Sequence, residues 1–220
     1  TLSREFEKQL KYFPGIELVT ASDSIALKQK NIPYCTTPER QLLLDLYQPL
    51  TSSAQKRTAI IFIHGGGWRS GSKDMHEALL EKLAWMGYVC IAPEYRLSTE
   101  ALYPAGVHDI KSAIRWTRAN AKEYNIDPDK VVVAGHSAGG ELAAMMGATN
   151  NNPAFEGAGC FPKKSSLVNA VIDLDGTLAF IHPESGEGDD SKKTSAATYW
   201  FGYSKTENPE RWNEAAPLTH

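Results

Sequence analysis

Residues 131–140 constrain the fold of this chain more than any other segment. They read VVVAGHSAGG, in which a β-branched run stops at Gly135 and an apolar helical sequence follows Gly140. Residues 135–139 match G-x-S-x-G, a pattern in which a serine occupies a sharp turn from a strand to a helix. Small neighbours let such a turn close, and the helix N-terminus favours negative charge beside it. The segment therefore predicts Ser137 as a nucleophile above a sheet edge, rather than as a buried serine in a glycine-rich turn.

A second glycine-rich segment follows a different strand. Residues 64–68 read HGGGW and come directly after the apolar run 59–63. Acyl transfer builds an oxyanion that main-chain N–H groups must already face, and glycines allow that close approach. Two loops at one sheet edge could then supply the nucleophile and the oxyanion hole. We expect His64 to hydrogen-bond the loop backbone rather than to shuttle protons, and His136 to serve packing.

Strand and helix patterns alternate along the chain. Strand-like runs at 25–34 and 42–47 flank a polar turn at 36–40, which predicts a leading antiparallel hairpin. Further strands are predicted at 58–63, 88–92 and 168–174 and before Ser137, with helices at 74–86 (capped by Asp74), 105–124 and 138–148. This order predicts an α/β fold in a single domain over residues 1–220, with a mostly parallel sheet and helices on both faces.

Composition excludes several classes of function. The net charge is −3 and no basic run stands out, so we expect no nucleic-acid partner. No apolar stretch approaches the roughly 20 residues that a membrane helix needs, so we expect no membrane span. The three cysteines are widely spaced and odd in number, which predicts no disulfide framework and a buried thiol at Cys90. Neither a metal nor another cofactor is expected.

The motifs together identify a family. HGGGW at 64–68, EYRL at 94–97, YPAG at 103–106 and GHSAGG at 135–140 occur in an order that resembles the α/β-hydrolase superfamily. Within it, the chain is similar to hormone-sensitive-lipase-like carboxylesterases and to feruloyl- and acetyl-esterase-like enzymes. The resemblance implies a serine carboxylic ester hydrolase without cofactor or metal. Ser137 would be the nucleophile, the amides of Gly66, Gly67 and Ala138 would form the oxyanion hole, and Trp68 and Tyr103 would lie near the site.

The resemblance also implies a substrate and a location. The similar enzymes remove acetyl or feruloyl groups from plant polysaccharides, so we expect a polysaccharide ester or a similar small ester as substrate. Because those relatives are secreted bacterial proteins, we expect a secreted or periplasmic protein, and otherwise a cytoplasmic one. A formamidase or amidase, or a relative that binds without hydrolysing, stays an alternative, since the two motifs do not distinguish ester from amide.

The chain departs from the family in one respect. A serine nucleophile needs a base and an orienting acid, and in this family both follow Ser137 on later strands. Those strands are not visible in the sequence, so we expect the acid and base to lie beyond residue 220. The chain would then expose an apolar sheet edge, or a second chain would supply the strands. Alternatively, Asp173 or Asp175 is the acid and His182 or His220 the base.

Three other features have structural interpretations. Residues 173–177 read DLDGT and resemble the signature of haloacid-dehalogenase-like phosphatases, but too few residues follow for that domain. We therefore interpret them as the end of a strand facing the cleft. Arg96 and Asp109 are expected to form a structural ion pair. The aromatic run 199–201 and Trp212 are expected to belong to the core rather than to a lid.

Overall fold

The computed structural model describes residues 2–18, 20 and 25–220. Its strands are β1 (Ala26–Thr36), β2 (Gln41–Pro49), β3 (Arg57–Ile63), β4 (Val89–Pro93), β5 (Ile126–His136) and β6 (Ala170–Leu174). Its α-helices are α1 (Leu2–Leu10), α2 (Glu77–Trp85), α3 (Ala105–Ala119), α4 (Ala138–Ala148), α5 (Ala196–Phe201) and α6 (Pro209–Glu214). Short 3-10 turns occupy Pro153–Phe155 and Pro217–Thr219.

All six strands join one mixed sheet in the order β1-β2-β4-β3-β5-β6. Strands β4, β3, β5 and β6 are parallel, whereas β2 runs antiparallel to both β1 and β4. The turn between β1 and β2 closes where the Thr37 N–H donates to the Arg40 carbonyl oxygen at 2.9 Å. The predicted leading hairpin and the mostly parallel sheet are therefore confirmed.

Helices cover both faces of the sheet. Along β3, Ile61 belongs to the larger core cluster, which also holds buried residues of α3 and α4. The neighbouring Ile60 and Phe62 point into a second cluster with Leu80 of α2. This alternation is what a central strand produces when successive side chains face opposite sides of a sheet. The expected α/β architecture, with helices on both faces, is confirmed.

Strand β6 forms one end of this sheet. In the part of the chain that the structure describes, β5 is the only strand that pairs with it. Its apolar side chains are correspondingly open to solvent, with Val171, Ile172 and Leu174 exposed by 37%, 46% and 42%. The expected apolar sheet edge is present at this strand.

The cysteines differ from the sequence-based expectation. Cys35, at the end of β1, forms a disulfide with Cys160 in the loop before β6, and the two Cα atoms lie 5.6 Å apart. The sequence predicted no disulfide framework and did not identify this pair, because the partners are 125 positions apart and only the tertiary fold brings them together. The prediction for Cys90 is confirmed, since its thiol is free and buried.

Two helix ends also differ from the prediction. Helix α2 begins at Glu77 with His76 at its N-cap, and the predicted cap Asp74 instead accepts the Glu77 N–H at its carbonyl oxygen. Helix α3 ends at Ala119, where both the main-chain N–H and the side chain of Asn120 donate to the Trp116 carbonyl oxygen, at 3.0 and 2.8 Å. None of the described helices is both long and apolar enough to cross a bilayer.

The loop between β4 and α3 is fixed by an ion pair. The Arg96 guanidinium donates to both carboxylate oxygens of Asp109 at 2.8–3.2 Å, and the Arg96 main-chain N–H donates to Asp109 as well. Asp109 is only 2% exposed, so the pair is largely shielded from water. The structural role predicted for this pair is confirmed.

Candidate active site

Ser137 connects β5 to α4 with an unusual backbone conformation. Its φ of 56° and ψ of −122° lie in a region that residues with a side chain rarely adopt. Its N–H donates to the Leu174 carbonyl oxygen at 2.9 Å, and its carbonyl oxygen accepts from the N–H groups of Gly140 and Glu141 at 2.8 and 3.1 Å. Contacts with both β6 and the first turn of α4 therefore fix the turn.

The glycines around Ser137 are required by close backbone contacts. A Cβ on Gly135 would lie 1.9 Å from the Gly139 carbonyl oxygen. A Cβ on Gly139 would lie 2.2 Å from the Ile63 carbonyl oxygen at the end of β3. Both positions of the G-x-S-x-G pattern therefore exclude side chains, because strand, turn and helix meet there without space for a methyl group.

The HGGGW loop, residues 64–68, lies against the same turn. A Cβ on Gly65 would be 3.1 Å from the Ser137 Cβ, so the two loops are in direct contact. Gly66 and Gly67 have φ values of +119° and +60°. Among the described residues, none accepts a hydrogen bond from the N–H groups of Gly66, Gly67 or Ala138. The loop that contains Gly66 and Gly67 thus lies against Ser137, and the main-chain donors of these two glycines and of Ala138 are available.

His64 has the structural role that its position suggested. Its Nδ1 lies 2.8 Å from the Gly65 carbonyl oxygen, and its ring stacks on Tyr95 with centroids 4.5 Å apart. Tyr95 also donates its hydroxyl to the His64 carbonyl oxygen at 3.1 Å. Burial lowers the pKa of His64, so the ring is neutral at pH 7. His64 therefore holds the glycine loop in place through its contacts with Gly65 and Tyr95. His136, expected to serve packing, is exposed, but its ring meets the His76 ring edge to face with centroids 5.9 Å apart.

The other candidate base and acid residues have partners elsewhere. His182 accepts a hydrogen bond from the Glu184 N–H, and His220 lies 2.8 Å from the Glu214 carbonyl oxygen. Asp173 accepts from the Gly176 N–H at 2.8 Å, which closes the turn after β6. No histidine within residues 2–18, 20 and 25–220 hydrogen-bonds to the Ser137 hydroxyl. The structure therefore does not bring the alternative acid and base residues together with Ser137. The DLDGT segment forms the turn after β6.

The segment after β6 packs an aromatic cluster beside the HGGGW loop. Trp68 stacks on Trp200 with centroids 4.7 Å apart, and Tyr103 meets Trp200 edge to face at 5.0 Å. Trp200 and Trp212 are buried, which confirms the prediction of core, whereas Tyr199 is 42% exposed. The Cβ of Ala196, at the start of α5, would be 2.8 Å from a Cβ on Gly67. Helix α5 therefore packs directly on the glycine loop.

Glu141 is a residue that the sequence reasoning missed. It is the only charged residue of α4 and is completely buried. Its Oε2 accepts a hydrogen bond from the Trp68 indole Nε1 at 3.0 Å. Burial raises the pKa of Glu141 well above its usual value. The hydrogen bond from Trp68 opposes this rise, and the charge of Asp173 adds to it. A charged residue in an otherwise apolar helix was the signal available in the sequence.

Comparison with known proteins places this arrangement in a family of hydrolases. Esterase LipC of Mycobacterium tuberculosis is 35% identical over 136 residues, which are 61% of this chain and 33% of LipC. A solved structure described as a truncated form of a carbohydrate esterase from gut microbiota has a TM-score of 0.75 at 27% identity. The match covers 91% of this chain and 74% of that one. The segment matched to LipC spans about a third of the length of that curated relative.

A second similar solved structure is also that of an esterase. Esterase 2 of Thermogutta terrifontis, phosphoramylated by tabun, has a TM-score of 0.70 at 29% identity, and the match covers 90% of this chain and 67% of that one. The family model BD-FAE matches residues 44–220, which include both glycine-rich loops and Ser137. The chain belongs to the BD-FAE family of α/β-hydrolases.

Proposed function

We propose that this chain carries the nucleophile and the oxyanion hole of a serine carboxylic ester hydrolase. The observation that carries the proposal is the backbone of Ser137, held at φ 56° between β5 and α4 with the HGGGW loop against it. That position combines an accessible nucleophile with a helix N-terminus and with main-chain donors on a separate loop. The names of the relatives, esterases and a carbohydrate esterase, support the same reaction.

The reaction proceeds in two steps. The Ser137 Oγ attacks the ester carbonyl carbon while its proton passes to a general base, and the carbonyl oxygen becomes an oxyanion facing the amides of Gly66, Gly67 and Ala138. The C–O bond to the alcohol then breaks, and the alcohol leaves with a proton. Water attacks the acyl-enzyme in the second step and releases the acid and the free serine. Each oxyanion-hole donor typically contributes about 10²–10³ to kcat.

The substrate class is a finer proposal. We propose acetyl or feruloyl esters of a plant polysaccharide, or similar small esters. This is supported by the likeness to a solved structure that is described as a carbohydrate esterase. Comparing p-nitrophenyl acetate, methyl ferulate, acetylated xylan and an aryl formamide separates ester from amide and acetyl from feruloyl. Faster turnover of the formamide than of any ester would reject the ester assignment.

The test of the reaction is serine-dependent turnover by the full-length natural polypeptide. Wild type should hydrolyse p-nitrophenyl acetate, and Ser137→Ala should lose nearly all of that rate. Ser53→Ala, which removes an exposed hydroxyl that bonds only to Gln55 of its own loop, is the matched control and should keep the wild-type rate. Treatment with paraoxon should attach one diethylphosphoryl group to the peptide that contains Ser137. Turnover that survives Ser137→Ala, or no turnover in wild type, rejects the proposal in favour of a relative that only binds.

We further propose that the protein works in an oxidising compartment, secreted or periplasmic. The disulfide between Cys35 and Cys160 supports this, because such bonds persist outside the reducing cytosol. Rapid alkylation of thiols in cells that naturally produce the protein provides the test. Cys35 and Cys160 should escape the reagent, and their modification in most molecules would refute the assignment.

A further inference from the structure

The hydrogen bond between Trp68 and Glu141 joins the two loops of the candidate site. Trp68 directly follows the glycines of the HGGGW loop, and Glu141 lies one helical turn after Ser137. Both side chains are buried, with Trp68 exposed by 2% and Glu141 by 0%. The 3.0 Å bond from the indole Nε1 to the Glu141 Oε2 thus connects the proposed oxyanion loop to the helix that begins at the nucleophile.

The other contacts of Trp68 come from different parts of the fold. Its carbonyl oxygen accepts from the Ser98 N–H at 2.7 Å, and its ring stacks on Trp200 at an interplanar angle of 9°. Trp68 itself has a φ of 53°, next to Gly67 at 60°. Gly67 adopts this region without steric cost, whereas Trp68 carries a side chain and needs external contacts to hold it there. Among these contacts of Trp68, the hydrogen bond to Glu141 is the one that connects the HGGGW loop to α4, the helix that follows Ser137.

We propose that Glu141 is a positioning residue, which fixes the HGGGW loop relative to Ser137 through its hydrogen bond to Trp68. The donors of Gly66 and Gly67 would then keep the spacing from the serine that an oxyanion requires. The inference rests on the proposed function and names a residue that acts on catalysis through Trp68. Loss of the bond should weaken stabilisation of the transition state more than binding of the ester.

The state of the Glu141 carboxyl identifies the conservative replacement. Its Oε1 is buried and hydrogen-bonds to none of the described groups. Burial raises the pKa of Glu141 and therefore favours the neutral carboxyl, whose Oε2 accepts from the indole. An amide oxygen accepts the same bond without a charge. Glu141→Gln therefore retains the connection to Trp68, whereas Glu141→Met removes it at similar volume.

The experiment measures kcat and KM for p-nitrophenyl acetate in the full-length protein and five variants. Glu141→Met and Trp68→Phe should each lower kcat by about 10- to 100-fold, with KM changed less than about 3-fold. Glu141→Gln should stay within about 3-fold of wild type. Because both single variants break one bond, the double variant should be no slower than the slower single variant. Trp212→Phe is the matched control, since its buried indole N–H donates to none of the described groups, and it should keep the wild-type rate.

Amide hydrogen exchange over residues 64–71 separates this inference from the proposed function. Exchange should accelerate in Glu141→Met and Trp68→Phe but not in Glu141→Gln or Trp212→Phe, whether or not the protein hydrolyses esters. An inactive wild type would therefore refute the esterase while exchange still decides the positioning role. Equal exchange in all variants, additive losses of kcat, or a Glu141→Gln variant as slow as Glu141→Met would overturn the inference.

Discussion

The disulfide between Cys35 and Cys160 should contribute a large part of the stability of this chain. The bond closes a loop of 125 residues, so it removes many conformations from the unfolded chain. The folded position of Cys160 has independent support. Arg115 donates to the Cys160 carbonyl oxygen at 2.9 Å, and the Cys160 N–H donates to the Ser112 hydroxyl at 3.2 Å. Removing the bond should therefore change the unfolded state more than the native one.

The loop length sets the expected magnitude. The chain-entropy relation gives about 5 kcal/mol at 25 °C for a loop of this size, and measured losses of native disulfides are typically about 2–5 kcal/mol. We expect Cys35→Ala/Cys160→Ala to lower the free energy of unfolding by about 3–5 kcal/mol. The urea m-value should rise as well, because the unfolded chain without a cross-link exposes more surface.

Equilibrium urea unfolding of wild type and the double variant provides the assay. Cys90→Ala is the control, since it removes a buried thiol without breaking a bond, and it should cost about 1 kcal/mol. Thiol titration gives a second readout. Unfolded wild type should show one reactive thiol before reduction and three afterwards. A double variant no less stable than Cys90→Ala, with an unchanged m-value, would refute the reasoning.

Three further predictions concern buried groups. Burial raises the pKa of Glu141 well above that of the unfolded chain, so the free energy of unfolding should fall as the pH rises above about 4.5, by at most about 1.4 kcal/mol per pH unit for this group; urea titrations should show that Glu141→Gln removes this slope. Asp109→Asn should cost about 3 kcal/mol in urea unfolding because it leaves a shielded guanidinium without its carboxylate, whereas Glu39→Gln, at the exposed side of the same guanidinium, should cost less than about 1. Gly139→Ala should lose about 1–3 kcal/mol and most esterase turnover, because its methyl group has no space, while Gly186→Ala, with open surroundings, should melt within error of wild type.

Local signals account for the parts of the fold that the sequence could predict. The β-branched run before Gly135 and the glycines around Ser137 act within ten residues, and the structure places β5, the turn and α4 there. The start of α2 was less predictable. A polar residue at 74 resembled a cap, but only the three-dimensional course of the chain determines that its carbonyl oxygen, rather than its side chain, meets the Glu77 N–H.

Contacts between distant segments account for what the sequence missed. Nothing near Cys35 indicates a partner at Cys160, because the pairing depends on how β1 and the loop before β6 pack on α3. The same holds for Glu141, whose partner Trp68 lies on another strand's loop, 73 positions away. Motifs identify which chemistry a loop can perform, whereas tertiary packing decides which side chains hold that loop in place.

The backbone conformation of Ser137 implies that the chain loses thermal stability in order to present a reactive hydroxyl. A side chain at its φ and ψ costs about 1–3 kcal/mol, which a glycine would avoid at an entropic cost of about 0.5–1 kcal/mol. Ser137→Gly should therefore melt at a higher temperature than wild type, whereas Ser137→Ala, which keeps the Cβ, should not. Both variants should lose turnover, but only Ser137→Gly should melt at a higher temperature. The chain would then keep a strained, destabilising backbone at the position where a hydroxyl must reach the substrate.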